Sequence, residues 1–170
     1  MTTILTDIPE YLKGYIKPVK DLDLITALRT SGEQILKLVN GIPTEKFSYR
    51  YAENKWTTAE VLCHLIDSER VFTYRALTFA RSDKTKLMPF NENEYAIESN
   101  CARRKTEDII LEMRNLRAST IDLFNSFSSE MLKRKGVVGN VEISVSTLGY
   151  VIVGHQLHHS NIIKERYLNH

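Results

Sequence analysis

The histidines near the end of the chain are the side chains best suited to do chemistry in this sequence. His155 and His159 are four residues apart, so on a helix their side chains lie one above the other, about 40° apart around the axis. The apolar residues at helical spacing from this pair are Leu148, Ile152, Ile162 and Ile163. The pair is therefore predicted to face the core, where an imidazole without a polar partner is costly. A metal ion is one partner that satisfies both rings.

A third histidine, His64, lies on the apolar stripe of another predicted helix. Zinc and similar ions bind neutral imidazole nitrogens at about 2.0–2.1 Å, and three protein ligands with an open fourth position are typical of a catalytic site. Helical bundles often build metal sites from side chains on facing helices. The pattern predicts a divalent-metal site at His64, His155 and His159. The alternative is that these histidines are structural core residues without a metal.

Neighbouring residues narrow the chemistry of such a site. The spacing of the pair matches the zinc-protease motif H-E-x-x-H, but position 156 is Gln, so the general base that this motif requires is missing. His158 points to the flank of the stripe and is predicted to be exposed or to lie beside a ligand. Asp67 lies one turn beyond His64, where it could orient the second ring nitrogen or be solvated.

Further side chains on the His64 helix have structural explanations. Cys63 precedes His64, and adjacent residues on a helix do not face each other, so a packed thiol is expected rather than a Cys–His nucleophile. Glu69 and Arg70 are predicted to lie on the outer face. Arg75 lies on the inward stripe, where it indicates a buried ion pair or a position at the rim.

Composition excludes several classes of protein. Of the 170 residues, 42% are hydrophobic and 26% are charged, as is typical of a globular protein. The 23 basic and 21 acidic residues nearly balance, so no surface for nucleic acid is expected. With two cysteines, a disulfide framework is not expected either. No apolar run approaches the roughly 18 residues of a membrane span, and no signal peptide is recognisable. We therefore expect a cytoplasmic protein without a membrane partner.

Four segments have the apolar periodicity of long amphipathic helices. They cover about residues 21–40, 57–81, 106–127 and 147–168. The second has the clearest start, because Thr57 and Glu60 match a capping box. Asp21 is the expected cap of the first helix, and Ser144 or Ser146 that of the last.

The segments between these helices are less regular. Residues 1–20 are predicted to be irregular, and residues 82–105 to form a long polar connector without structure of its own, which shapes access to a site. Residues 133–144 are predicted to form a small hairpin that turns at Gly139-Asn140. The predicted fold class is all-α, a four-helix bundle in a single domain, residues 1–170.

Two blocks of the sequence resemble the DinB/YfiT-like superfamily. They are residues 51–70, YAENKWTTAEVLCHLIDSER, followed by Tyr74-Arg75 and Ala80-Arg81, and residues 154–159, GHQLHH, followed by ERYL at 165–168. The resemblance covers nearly the whole chain. It implies an up-down-down-up four-helix bundle, often a homodimer, that binds zinc or nickel through residues which are here His64, His155 and His159.

The resemblance also bears on function, because some members of that family transfer low-molecular-weight thiols and others hydrolyse small substrates. Together with the three histidines it predicts a metal-dependent hydrolase or thiol transferase, in which the metal lowers the pKa of a water or a thiol. The substrate is then a small molecule, with a low-molecular-weight thiol as one candidate. The alternative is a non-catalytic metal-binding or regulatory module, whose structural site would need a fourth protein ligand such as Asp67 or Glu94.

Overall fold

The fold is a helical bundle with one small hairpin, seen in a computed structural model that describes residues 8–169. In chain order the helices are α1 (Lys13–Ile16), α2 (Leu24–Asn40), α3 (Thr58–Ala80), α4 (Glu92–Glu98), α5 (Thr106–Asn125), α6 (Ser129–Lys133) and α7 (Val145–Ile162). The strands β1 (Lys135–Val138) and β2 (Val141–Ser144) precede α7. Turns of 3₁₀ helix span Glu10–Leu12, Thr44–Lys46 and Cys101–Arg103, and α7 continues as a π-helical segment, Ile163–Leu168. Within residues 8–169, no helix combines the length and the apolarity needed to cross a membrane.

Side-chain caps determine where the long helices begin. The capping box of α3 is confirmed: the Glu60 N–H donates to Thr57 Oγ1 at 3.2 Å, and the Thr57 N–H donates to Glu60 Oε2 at 2.6 Å. Helix α2 begins later than predicted, because Asp23 rather than Asp21 accepts a backbone N–H of its first turn, at 3.0 Å. Ser144 caps α7. Each cap satisfies backbone donors that a first helical turn leaves without partners.

The four long helices form a ring in which α2 and α3 lie on opposite sides, each packed against α5 and α7. Polar contacts show their directions: α2 and α7 run the same way, α3 runs antiparallel to α7, and α3 and α5 run the same way. These contacts are Tyr150–Leu22 and Gln156–Ser31 for the first pair, Tyr167–Trp56 and His64–His155 for the second, and Arg70–Glu112 and Thr73–Thr120 for the third. This is the up-down-down-up arrangement, so the predicted fold class is confirmed.

The connector of residues 82–105 is not the structureless linker that its polar sequence suggests. It contains α4, whose cap Asn91 accepts two backbone N–H groups of the first turn. Before α4, the Leu87 N–H donates to the Val137 carbonyl at 2.9 Å, and the Leu87 carbonyl accepts the Gly139 N–H at 2.8 Å. The connector is therefore fastened to the hairpin by backbone hydrogen bonds.

The predicted hairpin is confirmed. Strands β1 and β2 pair antiparallel with Val138 opposite Val141, which leaves Gly139 and Asn140 for the turn. Gly139 has a φ of +59°, a left-handed conformation that glycine adopts without the steric cost that other residues carry.

The cysteines depart from the sequence-based expectation. Cys63 and Cys101 are joined by a disulfide, so the prediction that Cys63 is a packed thiol is wrong. The bond ties α3 to the 3₁₀ turn near the end of the connector, across a sequence separation of 38 residues. Such a pairing depends on where the connector returns to the bundle, which the spacing of two cysteines does not reveal.

A layer of polar residues crosses the bundle between two hydrophobic clusters. The first cluster contains Leu28, Phe79, Phe124 and Val151, and the second contains Ile35, Leu62, Met113 and Ile163. The side chains between them, which we call the polar layer, are Ser31 of α2, Ser68 and Glu69 of α3, Arg117 of α5, and His155 and Gln156 of α7. Every long helix thus contributes to this layer.

Arg117 is the centre of the polar layer. Its guanidinium donates to both carboxylate oxygens of Glu69 at 2.8 Å, to Ser31 Oγ at 2.8 Å, to the Leu28 carbonyl at 3.0 Å and to Gln156 Oε1 at 2.5 Å. The prediction that Glu69 lies on the outer face is wrong, because the side chains of this ion pair are only 7% and 11% exposed. A buried charged pair is tolerated when hydrogen bonds satisfy its remaining donors and acceptors.

We expect Arg117→Met to lower the free energy of unfolding by about 3–5 kcal/mol, because it leaves the Glu69 carboxylate buried and unpaired. Adding Glu69→Met removes both charges and is expected to recover much of that loss. The matched control is Arg70→Met, since Arg70 is 48% exposed and pairs with Glu112 near the surface. Urea unfolding followed by circular dichroism compares the three variants. A loss below about 1 kcal/mol in Arg117→Met, the size expected of the surface pair, contradicts the assignment.

Candidate metal centre

Three imidazoles from α3 and α7 meet between the two helices. His64 Nε2 lies 3.0 Å from His155 Nε2, and the ring centroids of His64, His155 and His159 are 4.6 to 4.9 Å apart. One nitrogen of each ring lies within 4.8 Å of those of the other two. The antiparallel packing of α3 against α7 therefore brings together all three histidines that the sequence singles out, and we call them the histidine trio.

Burial keeps the histidine trio neutral. Only 4% of His64 and 7% of His155 is exposed. Burial lowers the pKa of His64 to about 4, and burial together with the neighbouring His64 and His158 lowers the pKa of His159 to about 3. The pKa of His155 also falls well below its ordinary value, through burial and through the rings of His159 and His64. At neutral pH each ring therefore has one unprotonated nitrogen with a lone pair.

Hydrogen bonds to the histidine trio are few. Ser68 Oγ lies 3.5 Å from His64 Nδ1, so this serine contacts the second ring nitrogen of His64. Asp67, for which the sequence left open a role in orienting this nitrogen or a solvated position, lies beside Arg70 at 3.9 Å. The Nδ1 atom of His159 is buried and has no hydrogen-bond partner in the part of the chain that the structure describes. A buried polar atom without a partner is costly, so this nitrogen is a candidate for binding a ligand.

A divalent metal ion fits these donors. Neutral imidazole nitrogens are ordinary ligands of zinc and nickel, and the 3.0 Å between the Nε2 atoms of His64 and His155 is short enough for both to bind one ion at about 2.0–2.1 Å. Among residues 8–169, the histidine trio is the only group of this kind, and it includes neither Asp67 nor Glu94 as a fourth ligand. The described residues therefore offer three candidate ligands to one ion.

Two residues beside the trio are not part of it, although the ring of His158 lies edge-on to that of His159, with centroids 5.1 Å apart. His158 is exposed and packs edge-on against Tyr15, with ring centroids 5.3 Å apart. Gln156 faces the polar layer, where its amide donates to the Ser31 carbonyl at 2.5 Å. The position that carries the general base in the zinc-protease motif therefore points away from the trio.

A cavity of about 560 Å³ lies beside the histidine trio. His155 lines this cavity and also belongs to the trio, while Ser68 lines it and contacts His64. Much of the remaining wall comes from the N-terminal segment, the connector before α4 and the hairpin turn. The aromatic and charged side chains of the wall are Tyr11, Tyr15, Phe72, Arg75, Phe90 and Glu92. The connector therefore forms part of the wall of this cavity.

The N-terminal segment is the part of the site that the sequence analysis missed. Helix α1 packs so closely on α7 that a Cβ on Gly154 would lie 1.9 Å from the Tyr15 carbonyl oxygen, and only glycine permits this approach. The contact places the Tyr15 ring edge-on to His155, with centroids 5.5 Å apart. Two signals were present in the sequence: Gly154 directly precedes His155, and Tyr11 and Tyr15 have helical spacing.

The sequence of this chain is similar to those of known proteins. The sequence profile of the DinB superfamily matches residues 27–163. A relative from Geobacillus kaustophilus is 26% identical over 140 residues, which are 80% of this chain and 78% of that protein. A relative from Oceanobacillus iheyensis is 25% identical over 139 residues, which are 81% and 79%. Both relatives bear the name "putative metal-dependent hydrolase".

Two solved structures share the fold. YfiT from Bacillus subtilis, described as a probable metal-dependent hydrolase with an unusual four-helix bundle topology, superposes with a TM-score of 0.77 at 16% identity, covering 96% of this chain and 90% of YfiT. The mycothiol-dependent maleylpyruvate isomerase superposes with a TM-score of 0.69 at 12% identity, covering 83% of this chain and 60% of the isomerase. At such identities the likeness shows the fold alone. The profile match spans most of the sequence, and the chain belongs to the DinB superfamily.

Proposed function

We propose that this protein is a metal-dependent hydrolase that holds a divalent metal ion with His64, His155 and His159. The observation that carries the proposal is the buried Nδ1 of His159, a polar atom without a hydrogen-bond partner among residues 8–169, on a ring that contacts two further neutral imidazoles. A bound cation would supply a Lewis acid that lowers the pKa of a water and polarises the bond to be broken. Zinc and nickel both suit nitrogen ligands of this kind.

Residues around the trio orient the His64 ring and shield it from water. Ser68 contacts His64 Nδ1 and so favours the ring orientation in which Nε2 faces the rest of the trio. Trp56 covers the His64 ring, with centroids 4.7 Å apart, and shields it from solvent. The neighbouring cavity of about 560 Å³ has a size typical of small-molecule sites, so the substrate we propose is a small molecule.

A thiol transferase is the second candidate. A cation lowers the pKa of a thiol as it lowers that of a water, so the same trio would serve a low-molecular-weight thiol. The fold shared with a mycothiol-dependent isomerase favours this candidate. A non-catalytic structural site is disfavoured, because it would need a fourth protein ligand, and the trio has none among the described residues.

The resemblance to the family further supports a homodimer.

The purified protein without a histidine tag is expected to bind about one equivalent of Zn²⁺ or Ni²⁺. His64→Ala, His155→Ala and His159→Ala are each expected to weaken binding by about 100-fold or more, because each removes a ligand. His158→Ala is the matched control, since His158 lies on the same helix as two of the ligands but is exposed. Elemental analysis after metal loading and desalting measures the content. Less than about a tenth of an equivalent in the wild type contradicts the proposal.

Thermal unfolding adds an independent readout of the same variants. A metal present at about 100 times its Kd raises the free energy of unfolding by about 2.7 kcal/mol if it binds only the folded state. This gain is expected in the wild type and in His158→Ala, and is expected to be lost in His155→Ala. If His155→Ala destabilises the protein equally with and without metal, His155 serves packing alone.

The metal-free protein is expected to lose stability as the pH falls from about 6.5 towards about 4. Unfolded chains bind a proton at histidine near pH 6.5, whereas the pKa of His64 in the folded protein is about 4. Between these values the unfolded state holds more protons, so the free energy of unfolding decreases on acidification, by about 1–3 kcal/mol. Thermal unfolding in a chelator at several pH values measures this slope. His64→Leu is expected to reduce it, since His155 and His159 still contribute, and His158→Ala to preserve it; a wild type without any slope refutes the neutral burial of the trio.

A further inference from the structure

Arg75 carries a buried charge without a carboxylate partner. It is 8% exposed, and no Asp or Glu among residues 8–169 forms an ion pair with it. Its Nη2 donates to the Met88 carbonyl at 3.0 Å, which uses one of the five N–H donors of a guanidinium. Arginine stays charged in proteins even where burial lowers its pKa. Arg75 also lines the cavity beside the histidine trio, so an anion in that cavity can reach the remaining donors and neutralise the charge.

The guanidinium is held at the wall of the cavity by aromatic rings. Its central carbon lies 5.9 Å from the centroid of Phe72 and 5.7 Å from that of Phe90. Phe72 in turn packs edge-on against His155, with centroids 5.9 Å apart, and both Arg75 and His155 line the cavity. One ring therefore connects the guanidinium to the histidine trio, and a small ligand in the cavity can contact Arg75 and His155 together.

The charges of the cavity restrict the anion. Of its lining residues that the structure describes, Arg75 is the only one with a permanent positive charge, and Glu92, which is exposed, is the only acid. In the metal-free protein, one guanidinium and one carboxylate at the cavity favour a ligand with one negative charge, because Glu92 would repel a dianion such as a phosphate monoester more strongly. The aromatic wall next to Arg75 suits an apolar body attached to that charge.

We propose that Arg75 binds the carboxylate of a small organic acid, whose apolar body lies against Phe72 and Phe90 and whose reacting group reaches His155. The planar guanidinium matches a carboxylate, with which it forms paired, charge-assisted hydrogen bonds. This inference rests on the proposed function, because it names the substrate class of the same site. Arg75 is thereby a substrate-binding residue and takes no part in holding the metal.

Matched acid and amide probes test the inference. We use phenylacetate, 3-phenylpropionate and 4-phenylbutyrate with their primary amides, and measure binding by calorimetry and by ligand-observed NMR, with and without bound metal. At least one acid is expected to bind about tenfold more tightly than its amide, because only the carboxylate of the acid neutralises the charge of Arg75. The preference is expected in the metal-free protein as well, since it comes from the guanidinium.

Variants then assign the preference to Arg75. Arg75→Met keeps the apolar stem and is expected to weaken acid binding about tenfold while leaving the amide unchanged, whereas Arg75→Lys keeps the charge and part of the preference. Arg81→Met is the matched control, since Arg81 lies at the end of the same helix, is exposed and also lies over an aromatic ring, that of Phe127. Circular dichroism and metal content identify a variant that has not folded, in which case the acid-to-amide ratio of the wild type decides.

Two results overturn the inference: equal affinities for every acid and its amide in the wild type, or an acid preference that survives in folded Arg75→Met. Both are distinct from a failure of the proposed function, which is a wild-type protein that takes up no metal. A protein that binds metal normally but shows no acid preference retains the proposed function and loses only this substrate class.

Discussion

Arg117 sets the relative heights of the four long helices. Its single guanidinium reaches Glu69 on α3, Ser31 on α2 and Gln156 on α7 at the same time. A shift of any one helix along its axis would leave a buried charge or amide unpaired, which costs more than an equal shift between apolar side chains. The apolar clusters on either side supply most of the driving force for folding, but they tolerate alternative packings. The polar layer selects one of those packings.

The geometry of the histidine trio depends on the helix packing that the polar layer selects. Gln156 is held by Arg117 and by the Ser31 carbonyl, and its neighbour His155 points to the other side of α7, towards His64 on α3. Two adjacent residues thus face opposite environments. The environment of Gln156 satisfies its hydrogen-bonding groups within the protein, whereas the trio leaves Nδ1 of His159 without a partner among the described residues. The bundle thus satisfies Gln156 within the protein and leaves a buried nitrogen without a hydrogen bond one turn away, which is the observation that supports the proposed metal site.

Periodicity and spacing predicted the bundle, the capping box, the hairpin and the convergence of His64, His155 and His159. These features depend on local pattern: apolar residues at helical spacing, or turn residues between short strands. The features that the sequence did not predict depend on distant contacts. The helix pattern alone predicts that Glu69 faces outward, but the residue is buried because it pairs with Arg117 of α5. The pairing of Cys63 with Cys101 depends on the return path of the connector. The role of α1 depends on the contact between Gly154 and the backbone of Tyr15; the glycine before His155 and the helical spacing of Tyr11 and Tyr15 do not by themselves show that the two segments meet.

The histidine trio lies on the long helices, whereas part of the cavity wall comes from segments outside them. The histidine trio lies on two long helices whose relative position the core determines, whereas Tyr15, Phe90 and Glu92 come from segments outside the four long helices. Segments of that kind tolerate substitution and insertion better than packed helices do. Proteins that share this bundle at 12–16% identity can therefore keep one arrangement of helices while the cavity wall, and with it the substrate, changes. Arg75 belongs to the part of the wall that comes from the long helices, because it lies on α3 with Ser68 and Phe72, eleven residues after His64. Its position relative to His64 is therefore determined by the geometry of α3 and not by the segments outside the long helices.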